Sequence, residues 1–245
     1  MESAVRTDVP ARNGQIIDLP VPSHAAEDTT MRLEGIFKRW GRKAAPVLDG
    51  VDLELPPGST TWLGGANGVG KTTLLRVATG AIRPERGVVS LGPLSPERDR
   101  REFHRRIAYL AAGDRTLYAR LTVQRHLDLW GCLALMSKRE RREGIERALD
   151  HFQLRELAKR RADRLSLGQR QRVRLAGTFL HSPAVALLDE PHTSLDPNGM
   201  EMLATACREL VARGGAVVWC CPTREEAQLE FDRALVLEAG RLHPA

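Results

Sequence analysis

Long apolar runs are missing from this chain of 245 residues. None approaches the roughly 18 residues that a membrane-spanning helix needs, and the opening MESAVRTDVPARNG has no apolar stretch of the kind a secretory signal carries. The expectation is a cytoplasmic chain that docks peripherally on a membrane protein at most. Cysteine is scarce. Cys132, Cys207, Cys220 and Cys221 show no metal-ligand spacing, and an adjacent pair makes a poor disulfide, so reduced, buried small hydrophobes are expected. Lysine is scarcer relative to its charge class: only five of the 37 basic residues are Lys. The net charge of +6 is therefore carried by arginines, and these are interspersed with glutamates in helical stretches. That pattern reads as a solvated or docking face, with no nucleic-acid partner expected. Internal repeats and low-complexity tracts are also absent.

What is present is a hydrophobic fraction of 42%, enough for the core of one large α/β domain. Residues 1–30 lack periodicity and are rich in Pro, Ala, Thr and Asp, which predicts a flexible tail. From Met31 onward, MRLEGIF and VLDGVDLEL read as strands, the second alternating Leu48, Val51, Leu53 and Leu55 with polar residues before the Pro56-Pro57-Gly58 turn. A further strand, VVSL, follows Pro84–Gly87. The β-α order then stalls: about 98–167 is mostly helical and strongly basic, broken by one strand candidate, IAYL at 107–110, and reads as an inserted helical lobe. The rhythm returns with a helix opening at Gly168, a strand AVALLDE, a helix over about 199–213, a strand AVVWCC, a short helix REEAQLE and a strand ALVLEAG. In the Gly168 helix Val173, Ala176, Gly177 and Leu180 form the apolar stripe, so Arg170, Arg172 and Arg174 are expected to point elsewhere. Apolar strands alternating with helices predict a mostly parallel sheet covered on both faces.

The densest signal is TWLGGANGVGKTTLL at 61–75. Gly65, Gly70, Lys71 and Thr72 satisfy G-x-x-x-x-G-K-[ST]. Glycines at 65, 68 and 70 permit the backbone turns that aim successive N–H groups at an anion. Lys71 supplies an ammonium for β/γ-phosphates and Thr72 a hydroxyl for Mg²⁺, and the helix that starts there adds its positive end. A plain glycine turn between strand and helix is the competing reading. Downstream, the apolar strand at 185–188 ends in Asp189 and Glu190, at the carboxyl end where open α/β sheets bind ligands. Asp189 is suited to complete a Mg²⁺ shell with Thr72, and Glu190 to orient and deprotonate an attacking water. A charged strand terminus capping the next loop is the alternative. Leu165-Ser166-Leu167-Gly168-Gln169 is, by itself, a helix start with a serine cap.

Together the three stretches resemble the nucleotide-binding domain of an ATP-binding cassette (ABC) transporter, a P-loop NTPase core with an antiparallel β subdomain and an inserted helical subdomain. The resemblance covers about 31–241 and places that domain over 31–245. It implies a Walker A loop made of Gly65, Ala66, Asn67, Gly68, Val69, Gly70, Lys71, Thr72 and Thr73, a Walker B strand at 185–189 with Glu190 as general base beside Lys71, and ATP with Mg²⁺ as ligands. It implies a base-stacking role for Trp40, which as a loop tryptophan is otherwise a packing residue, and a D-loop at Ser194-Leu195-Asp196. Ser166, Gly168 and Gln169 match the family's LSGGQ signature, with Leu167 departing from it, and would face ATP held by a second cassette in a head-to-tail homo- or heterodimer. The implied activity is ATP hydrolysis driving a separate membrane permease. A soluble ABC-type switch and a poorly hydrolysing regulatory subunit are the other readings. Two departures bear on turnover: Ala111-Ala112 stands where the family commonly has a Gln, and Pro222 where it has a switch His, with no histidine nearby in the sequence. Neither side chain can bond water or phosphate.

Overall fold

The computed structural model describes residues 28–113 and 117–245. All but the last three residues of the expected tail lie outside that span. Asp28, Thr29 and Thr30 are already ordered against the sheet: the Asp28 carboxylate accepts from the Thr30 amide at 2.9 Å, and the Thr30 carbonyl accepts from the Gly92 amide at 2.8 Å.

Two sheets carry the domain. The smaller is antiparallel, ordered β2-β1-β4, from β1 (Met31–Arg39), β2 (Pro46–Leu55) and β4 (Arg86–Leu91). Its inward set is what alternation demands: Met31, Leu33, Leu48, Val51, Leu53, Leu55, Val89 and Leu91 are all buried. β1 runs two residues beyond the expected MRLEGIF and ends beside Trp40. Between Leu33 and Ile36 a bulge re-aims the chain at Gly35, whose φ is +60°.

The larger sheet has the order β5-β6-β7-β3-β8-β9. Its strands β3 (Thr60–Gly64), β5 (Ile107–Leu110), β6 (Val185–Asp189), β7 (Ala216–Cys220) and β8 (Arg233–Glu238) pair in parallel, and the short β9 (Arg241–Pro244) closes the edge antiparallel. Every residue of β6 and β7 is buried, which explains their unbroken apolar character. Their side chains divide by parity: Val185, Leu187, Ala216, Val218 and Cys220 pack towards the small sheet and helix α1 (Lys71–Ala78), whereas Ala186, Leu188, Val217, Trp219 and Cys221 pack towards the helical layer. Cys220 and Cys221 therefore lie in different cores. Cys132 is exposed, against expectation, while the other three cysteines are buried.

The helical layer comprises α3 (Val123–Leu133), α4 (Lys138–His151), α5 (Leu167–Phe179) and α6 (Pro197–Ala212), whereas the short α2 (Arg100–Arg105) packs its Phe103 on the other side, into the core shared with the small sheet and α1. The strand IAYL, which the sequence places inside the lobe, is β5 of the main sheet, so a core strand separates α2 from the helices that follow. REEAQLE does not make the expected helix: only a single 3-10 turn forms at Arg224–Glu226. Along it the half-buried positions are Ala227 and Leu229, the period of an extended chain. Some arginines of the lobe's basic runs are paired on its surface, with Arg139 on Glu143, Arg141 on Asp128, and Arg155 on both Glu146 and Asp150. Among the described residues no helix is long and apolar enough to cross a membrane.

Candidate functional site

Parallel strands end on the same edge, so the loops after β3, β5, β6 and β7 converge without any further instruction from the sequence. The loop after β3 turns through Gly65, Gly68 and Gly70 at φ values of 128°, 79° and 118°. Two of these positions have no room for a side chain. A Cβ at Gly65 would lie 2.5 Å from the Leu237 carbonyl oxygen, and one at Gly70 would lie 2.5 Å from Val47 of β2. Gly70 then caps α1 in a left-handed conformation with no side-chain cap, and no acidic residue occupies the first turn. The positive helix end is left for an external anion.

Lys71 is buried, and its ammonium donates to the carbonyls of Gly65 (2.6 Å) and Ala66 (3.0 Å), the loop curling over its own lysine. Ala66, Asn67 and Gly68 form the exposed rim, while Val69, Thr72 and Thr73 are half-buried. The Thr72 hydroxyl donates to the Asp189 carboxylate at 2.7 Å across the end of β7, which lies between β3 and β6. Asp189 is only 2% exposed. Its second neighbour is Tyr109 of β5, whose hydroxyl lies 3.5 Å away. Burial and then the Asp189 charge push that phenol up to about 12, so it keeps its proton as a donor. Thr72 and Asp189 form an all-oxygen pair of the kind a hard cation takes, and the glycine cradle with its lysine fits a polyphosphate.

Glu190 follows with φ of +50°, a conformation unusual for a non-glycine residue, fixed by its amide donating to the Cys220 carbonyl at 2.8 Å. Its side chain is thereby set apart from that of Asp189. Ser194 also sits at positive φ, 66°. Trp40 is 54% exposed at the end of β1, with the Lys38 ammonium 5.2 Å from its ring centroid. It stands on the small sheet whose Val47 abuts Gly70.

Ser166 and Gln169 close a capping box on α5, each side chain bonding the other's amide. Gly168 packs beside the Ser194 carbonyl, 3.0 Å from where a Cβ would stand. Among the described residues no hydrogen bond joins this group to Lys71, Thr72 or Asp189, so the chain presents two separate groups.

Three contributors escape the sequence reading. Arg174 was expected to point away from the core but is buried, its guanidinium on Gln171 Oε1 at 2.5 Å and on the Ala111 carbonyl. Gln171 in turn donates to the Pro191 carbonyl at 2.7 Å. This network ties α5 to the loops after β5 and β6. The apolar stripe concealed it, since a buried arginine next to the stripe looks in sequence like an exposed one. His192 is the third: its Nε2 lies 3.3 Å from Glu226, so the fold brings a histidine beside the Pro222 turn although none is near in sequence.

The family model described as ABC transporter matches residues 48–193, from β2 through the loop after Glu190. The chain belongs to the ABC transporter family. Its relatives include the daunorubicin resistance ATP-binding protein DrrA3 of Streptomyces coeruleorubidus, 35% identical over 88% of this chain. The Nod factor export ATP-binding protein I of Rhizobium meliloti is 34% identical over 89% of it. The chain spans about two thirds of these relatives' length, 67% and 64%. A solved ATP-binding subunit of an ABC transporter superposes with a TM-score of 0.80 at 26% identity, covering 88% of this chain and 90% of that one. The ATP-binding cassette MJ0796, solved as a dimer with ADP and Pi, has the same fold, with a TM-score of 0.75 at 23% identity over 87% and 98% of the two chains. This ABC chain is thus a nucleotide-binding ATPase domain with the P-loop NTPase core, and the resemblance read from its three motifs holds.

Proposed function

We propose that this ABC chain binds ATP with Mg²⁺ through the Walker loop and Asp189, and powers a separate integral membrane permease through nucleotide-driven pairing of two cassettes. The observation that carries the reading is the convergence of Lys71, Thr72 and Asp189 at one edge of the parallel sheet, with donors and acceptors matched to a metal-bound polyphosphate. The loop amides from Gly65 to Thr73 and the Lys71 ammonium hold the phosphates, and Thr72 and Asp189 hold the cation. Mg²⁺, when bound, supplies charge neutralisation of the phosphates. Glu190 orients the attacking water and accepts its proton. Trp40 offers an exposed ring for the base, and Ser166, Gly168 and Gln169 face the nucleotide of the second cassette, homo- or heteromeric. The domain runs over 31–245, with its helical lobe inserted within about 98–167, and is peripheral on the cytoplasmic face. Relatives named for daunorubicin resistance and Nod factor export favour an export system over a soluble switch.

Removing the Lys71 ammonium forfeits a charge-assisted contact of about 1.5–3 kcal/mol, so Lys71→Ala should weaken ATP binding at least tenfold by roughly that measure. Titration with a fluorescent ATP analogue reads this directly. Equal affinity for the two proteins would overturn the assignment.

A further inference from the structure

β6 and β7 are adjacent and parallel, so the segments leaving their carboxyl ends run side by side. The first carries His192, three residues past Asp189. The second carries Cys221 directly after β7, then Pro222 and the 3-10 turn ending at Glu226. His192 Nε2 lies 3.3 Å from Glu226 Oε2. One ligand atom from each of His192, Cys221 and Glu226 falls within 4.8 Å of the other two. His192 Nδ1, the other ring nitrogen, is shut off from solvent and has no hydrogen-bond partner, so Nε2, beside Glu226, is the nitrogen placed to ligate.

We propose that His192, Cys221 and Glu226 form a three-ligand site for a zinc-class divalent cation, tying the loop after β6 to the turn after β7. An imidazole, a thiol and a carboxylate make a mixed N/S/O set, which selects a borderline-soft transition metal and not the hard cation suited to Thr72 and Asp189. Zinc takes sulfur at about 2.3 Å and nitrogen or oxygen at about 2.0–2.2 Å, so its tetrahedral ligands stand roughly 3.3–3.7 Å apart. The His192–Glu226 pair already has that spacing, and the remaining approach of about 1 Å falls to Cys221 and the exposed turn that bears Glu226. On binding, Cys221 Sγ gives its proton to solvent and donates a lone pair to the metal, with no change of oxidation state. Its hydrogen bond to the Thr223 carbonyl is given up, while the one it accepts from Trp62 Nε1 at 3.3 Å is kept as an outer-shell support. The fourth position stays open to water, on the side where Glu226 is exposed. Because His192 is two residues from Glu190, a bound ion restrains the loop that presents Glu190.

Cobalt(II) titration of the purified full chain, without ATP or Mg²⁺, tests this. One cobalt per chain should bind with thiolate-to-cobalt charge-transfer absorption and be displaced by zinc. The band should persist in Cys132→Ser and Thr72→Ala, which separates the site from the exposed cysteine and from the Thr72–Asp189 pair, and vanish in Cys221→Ser. Since Cys221 is buried and its replacement could impair folding, the accessible variants His192→Ala and Glu226→Gln carry the test independently. Each should weaken cobalt by more than the roughly 10–100-fold that losing an outer-shell partner costs. Absence of the band in the wild-type chain, or unchanged cobalt affinity in both accessible variants, would overturn the proposal.

Discussion

A buried cation is costly unless its donors are filled, and Lys71 meets that demand with two carbonyls of its own loop, a pairing a polyphosphate can replace. His181 shows the opposite bargain. It stands in the turn between α5 and β6 with Nε2 buried and unpartnered, and burial holds its imidazole down to about 4 from 6.5. The folded state thus binds its proton later than the unfolded chain does. The associated stability is fully present above pH 6.5 and is lost as pH falls from 6.5 towards 4, by up to about 3 kcal/mol. Urea unfolding of wild type and His181→Leu between pH 7 and 5 should show a falling midpoint in the former and a much flatter one in the latter. Parallel losses would mean that His181 does not carry the dependence.

At the scale of elements, α5 joins the Ser166–Gln169 capping box to the loops after β5 and β6. Its serine start is legible in sequence because a cap needs a hydroxyl at one place and Gln169 three residues later. Its inner polar network is not legible, because Gln171 and Arg174 meet the carbonyls of Pro191 and Ala111, which are twenty and sixty-three residues away. Replacing Arg174 by Met keeps much of the volume and removes charge-assisted hydrogen bonds from a buried setting, which should destabilise the domain by on the order of 2–4 kcal/mol. An unchanged unfolding free energy in Arg174→Met would show that the network carries no net stability. The same limit explains REEAQLE, whose composition suits a helix but whose apolar residues, Ala227 and Leu229, lie two apart and pack as an extended chain. It also explains β9, a four-residue edge strand containing Pro244 that carries no pattern of its own.

In the whole molecule, strand order does what no single motif can. Putting β7 between β3 and β6 brings the Thr72 hydroxyl to 2.7 Å from the Asp189 carboxylate, and the segments carrying Ala112, Glu190 and Pro222 leave the same carboxyl edge, after β5, β6 and β7. The Walker residues were legible because their chemistry constrains residue types at fixed spacing. The positive φ of Glu190 and the approach of His192 to the Pro222 turn were not, since both arise from how neighbouring strands end. Two side chains at this edge lack polar atoms: Ala112, after β5, and Pro222, after β7. Each missing preorganised group costs on the order of 10²–10³ in rate where it would have stabilised the transition state. Steady-state ATPase of the isolated chain should therefore be slow, and Ala112→Gln and Pro222→His should each raise it, the double variant most. On the proposed head-to-tail pairing, in which the Ser166 segment faces the other cassette's nucleotide, mixing this chain with Glu190→Gln copies should leave turnover at intact Glu190 sites. Fast wild-type turnover, at several per second and unmoved by either substitution, would show that Glu190 with the Walker residues suffices and that the two positions are dispensable.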